Sequence, residues 1–386
     1  MRILIVSPAL PHRPSHDAAR LVVSQLIDHL SARHTIGVVA ASGPADTAAA
    51  RAWLAARAAP VELVAVDRWR RPLSGRPDHG LRTLAAAVRR ASLAFEPDVV
   101  HLQSAVLAPL ARVATAPCVL ACHESPPARG PARAPGWQRL RARLAERRDR
   151  DWARAWFDGV SACVVDSQHD RRATSAYLPE DRLDVIAPGI DADRYPYRRI
   201  GAPARLVFTD DLGVPGDLEA ARRLALAILP AVRRRMPRTE LLVASTGTAD
   251  PARELGRLEG VRVEGRLADL RPTVWGAAVY VSAAGTGAGR TARLLEALAL
   301  GTPIVATAAS LSRLDAVVPG HHVLTADGDG ELVDAISLLM REPVVANTIA
   351  RNARELVEQS LTWRAVAERY DDVYHRVGKL TTELAA

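Results

Sequence analysis

The sequence predicts an α/β protein with two Rossmann-like domains, each a doubly wound parallel sheet, that face a cleft. First, short continuous runs of Val, Ile and Leu alternate with amphipathic helical patterns, which indicates parallel strands covered on both faces. Second, this alternation pauses once, at a segment rich in Pro, Gly and charge, and then restarts. Third, 386 residues suffice for two domains, and an aromatic content of 4% suits packed α/β layers.

The first half of the chain opens with "RILIVSP", an apolar run that ends at Pro8 and indicates a strand rather than a signal peptide. Cys118 and Cys122, at even spacing, are expected on one face of a later strand. With Cys163 they form no disulfide framework and no zinc set, which fits a reduced cytoplasm. The predicted strands are 2–8, 35–41, 61–66, 98–103, 118–124 and 162–167, and the predicted helices are 19–32, 46–58 and 80–95.

The second half repeats this rhythm after residues 187–205, whose composition is that of a linker. We therefore expect domains at 1–186 and 205–361, a linker over 187–204, and a C-terminal helix over 362–386 that packs back toward the first domain. Ligands of open α/β sheets bind beyond the carboxyl ends of the strands, here in the cleft. The predicted strands are 205–210, 240–246, 261–265, 279–283 and 303–307, and the predicted helices are 217–235, 251–257, 268–276, 290–300 and 330–341.

The charge balance is basic, with a net charge of +8. Such a balance favours anionic partners, namely nucleotides, lipid headgroups or nucleic acid. Arginine-rich codon usage explains it equally well. No run approaches the roughly 20 apolar residues that a membrane span needs.

Residues 129–156 are a basic segment with nine arginines, interleaved with Trp137, Trp152 and Trp156. A basic helix with Trp on one face can lie on an anionic membrane surface. The alternative is a solvated helix that rests its Trp and Leu side chains on the domain. Nucleic acid is not expected as a partner, because no recognised nucleic-acid motif accompanies the charge.

The stretch "GTGAGRTARLLEALALG" (285–301) follows a predicted strand and opens a predicted helix. Backbone N–H groups and the helix dipole at such a turn favour an anion. Arg290 and Arg293 lie one helical turn apart, so both can reach the same anion. The pattern is neither a Walker loop nor G-x-G-x-x-G. It indicates a phosphate-binding loop or, alternatively, a glycine-rich turn before a core helix.

Other candidate residues follow strands of the first half. His123 and Glu124 close the predicted strand "CVLACHE", and His16 and Asp17 follow the first strand. Such positions face the cleft of this architecture, where a histidine can bind an acceptor or help to move a proton. Hydrogen bonding to a neighbouring loop is the structural alternative. We expect no metal, because none of the Asp-x-Asp pairs ends a predicted strand (149–151, 191–193 and 327–329).

Several stretches together resemble a known family over nearly the whole chain. They include "MRILIVSPALP", "PDVVHLQ", a strand ending "CHE", "VVDSQHDRRAT", "LDVIAPGID", "GAGRTARLLEALALGTPIVAT" and "PGHHVLTADG". The series is similar to the family 4 (group 1) glycosyltransferases of the GT-B fold. The donor loop is most similar to the branch that reads Gly-Gly-Gly-Thr-Arg-Leu-Lys. This resemblance implies a retaining, metal-independent transfer from a nucleotide sugar, with no cofactor.

The resemblance also implies roles for individual residues. Glu296 matches the glutamate that binds the donor ribose, and Arg293 replaces the lysine near the donor phosphates, with Arg290 beside it. His123 matches the histidine near the transferred sugar. The remaining matches are donor-loop residues Gly287 and Gly289, base-contacting Arg266, and linker residues Gly189 and Asp191. Thr286, in the same loop, is expected among the donor-binding residues, and His16, Asp17 and Glu124 are expected on the acceptor side because they follow strands.

The chain also departs from the family pattern. Ala288 stands where a glutamate is usual, and Thr291 stands where the similar branch has arginine. Asp210 and Asp211 replace a loop glycine, and two carboxylates beside a diphosphate would repel it. Further departures are "SHDAAR" in place of a Gly-Gly loop, Pro188 in place of the linker asparagine, and Ser245 in place of a glycine.

These observations lead to a glycosyltransferase hypothesis. The expected acceptor is a glycan, a lipid-linked intermediate or a small-molecule natural product, and the expected location is the cytoplasm, peripherally on the inner face of the plasma membrane. The alternative hypothesis is a non-catalytic relative that binds a glycan or partners an active transferase. A nicotinamide dehydrogenase is disfavoured, because no strand-linked G-x-G-x-x-G with a following acid occurs.

Overall fold

The computed structural model describes residues 1–12, 18–44, 46–66, 79–123, 136–197, 204–245, 247–248, 250–283 and 288–384. Of these, residues 18–19, 136–139, 141–142, 288–290 and 380–384 are described by their backbone alone. The chain divides into a first unit, Met1–Pro188 with Trp363–Ala386, and a second unit, Gly189–Thr362.

The first unit contains a parallel sheet whose described strands follow the order β3-β2-β1-β4-β5-β6-β7. The order reverses at β1, as in a doubly wound fold. Its strands are β1 Arg2–Ser7, β2 Thr35–Ser42, β3 Val61–Ala65, β4 Val99–Gln103, β5 Cys118–Cys122, β6 Ala162–Val165 and β7 Leu183–Val185, and its helices before the second unit are α1 Ala18–Leu30, α2 Ala48–Ala55, α3 His79–Phe95, α4 Gly136–Trp156 and α5 Gln168–Thr174.

Alternate side chains of these strands enter two separate cores, because strand residues point to opposite faces in turn. Ile3 and Ile5 of β1 pack in one core, and Leu4 and Val6 pack in the other. The three cysteines form no disulfide and are buried in the second of these cores. The shared face expected for Cys118 and Cys122 is therefore confirmed.

The second unit contains a parallel sheet in the order β10-β9-β8-β11-β12-β13. One core lies between this sheet and the helices that cover it. The strands are β8 Arg205–Thr209, β9 Glu240–Ala244, β10 Val261–Glu264, β11 Val279–Ser282, β12 Ile304–Ala306 and β13 Leu324–Thr325, and the helices are α6 Pro215–Arg223, α7 Leu229–Arg235, α8 Arg271–Trp275, α9 Ala288–Leu300, α10 Ala308–Leu311, α11 Asp329–Arg341 and α12 Pro343–Ser360.

A last helix, α13 Trp363–Leu384, belongs to the first unit. Its apolar face, including Val366, Tyr370, Tyr374 and Val377, completes the core that contains Ile3 and Ile5. This helix therefore supplies part of the first unit's core from the far end of the sequence.

Several predicted elements differ from the observed ones. The single helix expected over 217–235 is α6 and α7 joined by a π-helical turn, Leu224–Ile228. Pro230 follows that turn, and a proline ring clashes with the carbonyl four residues earlier, so the widened turn accommodates it. The helix expected over 251–257 is a 3-10 helix, Asp250–Arg257. The strand expected over 118–124 ends at Cys122, so His123 lies just beyond it.

Candidate functional site

His123 and Asp166 meet at the carboxyl edge of the first unit's sheet. In the parallel register, Cys122 of β5 pairs with Val165 of β6, so the next residue on each strand lies side by side. His123 Nδ1 is 2.6 Å from Asp166 Oδ1, and the side chains are 23% and 10% exposed. A carboxylate at this distance accepts a hydrogen bond from Nδ1–H and thereby fixes the tautomer of the ring.

A second histidine, His101 of β4, lies fully buried in the same unit. Its Nε2 is 2.7 Å from Gln103 Oε1, and its Nδ1 is 2.8 Å from the hydroxyl of Tyr374 on α13. Burial lowers the pKa of His101 to about 4. The ring is therefore neutral near pH 7, donating to Gln103 and accepting from Tyr374.

In the second unit, helix α9 follows the fourth strand of the sheet and carries the predicted donor residues. Leu294, Leu295, Ala297 and Leu298 are buried, which leaves the intervening Arg293 and Glu296 half-buried at the edge of the core. Helix α9 begins at Ala288, two residues before the predicted start at 290, so Gly289 and Arg290 both lie in its first turn. The side chain of Arg290, and all of Thr286 and Gly287, lie outside the described residues.

The Glu296 carboxylate accepts two hydrogen bonds. Arg293 Nη1 donates to Oε2 at 2.9 Å, and the hydroxyl of Tyr195 donates to Oε1 at 3.3 Å. Burial, followed by the neighbouring Glu296 charge, raises the pKa of Tyr195 well above its ordinary value. The phenol is therefore protonated, and remains a hydrogen-bond donor, throughout the neutral range.

Tyr195 belongs to the segment Asp191–Tyr197, which we call the strap. Arg354 of α12 binds the strap to α9, because its guanidinium donates to the backbone carbonyls of Tyr195, at 2.6 Å, and of Ala299. At its end, the Tyr197 ring lies against Gly301, directly after α9. The strap is therefore tied to the helix that carries Glu296.

Arg271 holds the other side of the strap. Its guanidinium donates to the carbonyl of Arg194 at 3.0 Å and lies 5.8 Å from the centre of the Tyr195 ring. Asp269 binds both Nε and Nη2 of Arg271, and these hydrogen bonds raise the pKa of Arg271 and help to lower that of Asp269. Arg271 therefore remains a cation in a fixed orientation.

Other predicted donor-side residues lie at the carboxyl edge of the same sheet. Arg266, just after β10, is exposed and has a φ of 58°, a left-handed conformation that is uncommon for a non-glycine residue. Asp211 turns back to accept from the N–H of Gly213 at 3.0 Å. Burial and then the charge of Asp210 raise the pKa of Tyr280 on β11, so the Asp210 carboxylate lies near this buried phenol.

Helix α4 is the described part of the basic segment. Two of its tryptophans, Trp152 and Trp156, pack on the domain and do not face outward as the membrane-surface hypothesis expects. Trp152 Nε1 donates to the carbonyl of Ala105 at 3.0 Å, and Trp156 lies 4.4 Å below the guanidinium of Arg112. Both rings pack against the core that contains Leu4 and Val6. Among the described side chains of α4, which do not include Trp137, the exposed large apolar residues are Leu140 and Leu144.

Sequence reasoning found some of these residues and missed others. The structure brings Arg293 and Glu296 together on α9, whereas His16, Asp17 and Glu124 lie outside the described residues. Asp166 and Tyr195 were missed. The position of Asp166 near the carboxyl end of the strand predicted over 162–167 was a usable signal. Nothing in the linker sequence indicated a contact between Tyr195 and a residue 101 positions away.

Two family models match the chain. Residues 19–194 match the model described as Glycosyltransferase Family 4, and residues 204–342 match the model described as Glycosyl transferases group 1. The chain belongs to the family 4 (group 1) glycosyltransferases. The two matches correspond to the two parallel-sheet units, and the family assigns the chain to the enzymes that transfer sugars.

Individual relatives agree with this family. The chain is 29% identical over 299 residues to glycogen synthase of Mycobacterium tuberculosis, covering 72% of this glycosyltransferase and 69% of the relative. Crystal structures with the same fold include Anabaena Alr3699/HepE in complex with UDP and glucose (TM-score 0.64, 18% identity, covering 97% of this chain and 100% of that one) and a glycosyltransferase from Rickettsia africae (TM-score 0.68, 13% identity, covering 97% and 98%). These neighbours confirm the GT-B arrangement of two Rossmann-like domains.

Among the described residues of this glycosyltransferase, no helix is both long and apolar enough to cross a bilayer.

Proposed function

We propose that the protein transfers a sugar from a nucleotide-sugar donor to a glycan, a lipid-linked intermediate or a small-molecule natural product, with retention of configuration and without a metal. The observation that carries the donor proposal is the Arg293–Glu296 pair on α9, a cation and a carboxylate one helical turn apart beyond the fourth strand of the second sheet. The Anabaena neighbour was crystallised in complex with UDP and glucose, which supports a nucleotide sugar as the donor.

Each donor residue then has a distinct role. Glu296 accepts hydrogen bonds from the ribose hydroxyls, and Arg293, together with Arg290 and the backbone of the Thr286–Gly289 loop, binds the diphosphate. Arginine has five N–H donors, so Arg293 can hold Glu296 through Nη1 and a phosphate through its other donors. Cations and a helix N-terminus stabilise the negative charge that the departing diphosphate develops. Arg266 contacts the base.

On the acceptor side, we propose that His123 contacts the transferred sugar or the acceptor, with His16, Asp17 and Glu124 nearby. The bond to Asp166 supports this role, because it holds the imidazole in one orientation at the carboxyl edge of the first sheet. Polar groups in glycosyl transfer must be placed to within fractions of an ångström.

A non-catalytic relative is the second candidate, and Asp210 favours it, because this carboxylate lies near the same edge as the donor residues. The geometry of Asp211 counts against it, since that carboxylate turns back to its own loop. Turnover of any donor in a panel of nucleotide sugars would eliminate this candidate.

The acceptor side also suggests an anionic membrane as a partner, and with it a peripheral location on the inner face of the plasma membrane. Leu140 and Leu144 of α4 are 59% and 58% exposed, and Arg143, Arg147 and Arg150 are exposed on the same helix. Apolar side chains surrounded by arginines can enter a headgroup layer while the cations bind lipid phosphates.

The donor proposal is tested by nucleotide affinity. A thermal-shift panel of nucleotide sugars identifies the donor, because a ligand of the native state raises Tm by mass action. Calorimetry on Arg293→Ala and Glu296→Ala should then show affinity weakened about 10-fold, the value of a lost charge-assisted hydrogen bond. Arg351→Ala and Glu355→Ala, which alter an exposed ion pair on α12, are the controls. Unchanged affinity in both donor-site variants contradicts the assignment.

A further inference from the structure

Building on the donor site proposed above, we propose that Tyr195 is a positioning residue for the donor ribose, which acts by holding the Glu296 carboxylate between its own hydroxyl and Arg293. Tyr195 lies in the strap, far from Glu296 in sequence, yet donates to Oε1 of that carboxylate. The residue therefore links the segment that precedes the second sheet to the helix that carries the donor site.

The geometry restrains Glu296 from two sides. Arg293 reaches Oε2 from within α9, and Tyr195 reaches Oε1 from the strap. A carboxylate has about four lone-pair sites, so each oxygen keeps acceptor capacity for one hydroxyl of a vicinal diol. With both oxygens held, the carboxylate is oriented before the ribose arrives, which reduces the ordering cost of binding.

The hydroxyl of Tyr195 is itself held in place. Arg354 binds the backbone carbonyl of Tyr195 and Arg271 binds that of Arg194, so the backbone on both sides of the ring is fixed. The side chain of Arg354 is only 13% exposed. A phenol on an anchored backbone, with few rotatable bonds, is a more rigid donor than a lysine would be.

The two tyrosines of the strap provide a matched pair of variants. Tyr195→Phe removes the hydroxyl that contacts Glu296 and keeps the ring. Tyr197→Phe makes the same change two residues later, on a ring that is 38% exposed and packs on Gly301. In the described residues the Tyr197 hydroxyl has no hydrogen-bond partner, so its removal leaves Glu296 unaffected.

The experiment compares ribose and deoxyribose recognition. From UDP, GDP and ADP, the diphosphate that raises the Tm of the unaltered protein most is measured by calorimetry together with its 2′-deoxy form. We expect the unaltered protein and Tyr197→Phe to prefer the ribonucleotide by about 10-fold. In Tyr195→Phe, we expect the ribonucleotide to bind about 5-fold more weakly and the 2′-deoxy form to change by less than about 2-fold.

The outcomes separate this inference from the proposed function. A Tyr195→Phe variant with the full ribose preference overturns the positioning role and leaves the donor site intact. Equal weakening of both nucleotides also overturns it, because that result indicates a general loosening of the strap. If no diphosphate binds the unaltered protein, the donor site and this inference are both wrong.

Discussion

The imidazole of His123 and the carboxylate of Asp166 show how one hydrogen bond sets the chemistry of a side chain. The bond joins Nδ1 to Oδ1 at 2.6 Å, and both groups are largely shielded from water. With the proton held on Nδ1, the lone pair of the neutral ring is on Nε2. In the acceptor-side role proposed for His123, Asp166 thus determines which ring nitrogen can accept a hydrogen bond from a sugar hydroxyl.

We therefore predict that Asp166→Asn lowers sugar transfer by about 100-fold, the low end of what a correctly protonated catalytic group contributes. Nucleotide affinity, set in the second unit, should stay unchanged. Steady-state kinetics and calorimetry measure the two quantities. Asp158→Asn, which alters a carboxylate that is 72% exposed, is the control. A variant with unaltered turnover would show that Asp166 has only a structural role.

At the scale of elements, the junction between α9 and the strap depends on one glycine. Gly301 has a φ of +66°, and a Cβ placed there would lie 2.1 Å from the Tyr197 ring. Both the backbone conformation and the space therefore require glycine. Gly320 has a similar φ of +77°, but no atom lies within 4 Å of an added Cβ. Comparing the two glycines therefore separates the cost of the backbone conformation from the cost of the steric clash.

Gly320→Ala should reduce the free energy of unfolding by about 1 kcal/mol, the cost of the left-handed backbone alone. Gly301→Ala should cost a further ~2 kcal/mol, because Tyr197 must move. Urea unfolding of both variants measures the difference. If both variants lost the same free energy of unfolding, the Tyr197 ring could move away from residue 301 without an energetic cost.

Helix α4 carries two exposed leucines, and the membrane role proposed for them is testable with vesicles. We expect the Leu140→Ser, Leu144→Ser double variant to bind vesicles with phosphatidylserine at least about 5-fold more weakly, because two exposed leucines no longer enter the lipid. The matched control is Leu93→Ser on α3, a leucine that is 62% exposed. Sedimentation with anionic and neutral vesicles measures binding. Equal effects of the variants, or equal binding to both vesicles, would contradict a specific surface on α4.

The same elements show what the sequence could and could not predict. Runs such as "RILIVS" and "ACVV" revealed most strands, because both of their faces are buried. The edge strands β7 and β13, of three and two residues, are too short to show a period. Arg293 was predicted from its spacing to Arg290 on one helix, and Glu296 was predicted from the family resemblance. Tyr195 was not, because its contact depends on how the strap folds over α9.

For the whole molecule, buried His101 makes the stability of the first unit depend on pH. Its pKa is about 4 in the folded protein and about 6.5 in an unfolded chain. Below pH 6.5 the unfolded chain therefore binds a proton that the folded protein does not. Stability is greatest above this value and falls as the pH approaches 4, at up to about 1.4 kcal/mol per pH unit.

We predict that the free energy of opening of β4, from hydrogen exchange of its amides, falls by about 2 kcal/mol between pH 7 and pH 5. His101→Asn lacks this titration, so its free energy of opening should change less between pH 7 and pH 5 than that of the unaltered protein. Parallel pH profiles of the two proteins would show that His101 is not the titrating group. The measurement follows β4 because His101 lies on it.

The position of α13 has a consequence for synthesis of the chain. Val366, Tyr370, Tyr374 and Val377 leave the ribosome after the whole second unit, yet they close a core that includes Ile3. The second unit, by contrast, is one uninterrupted segment, Gly189–Thr362. Domains usually mature in the order in which they emerge, but here the second unit is complete first. Until α13 has been synthesised, the apolar face of the first unit that it covers stays exposed. Chaperones that bind exposed apolar surfaces can act on the nascent chain during this interval.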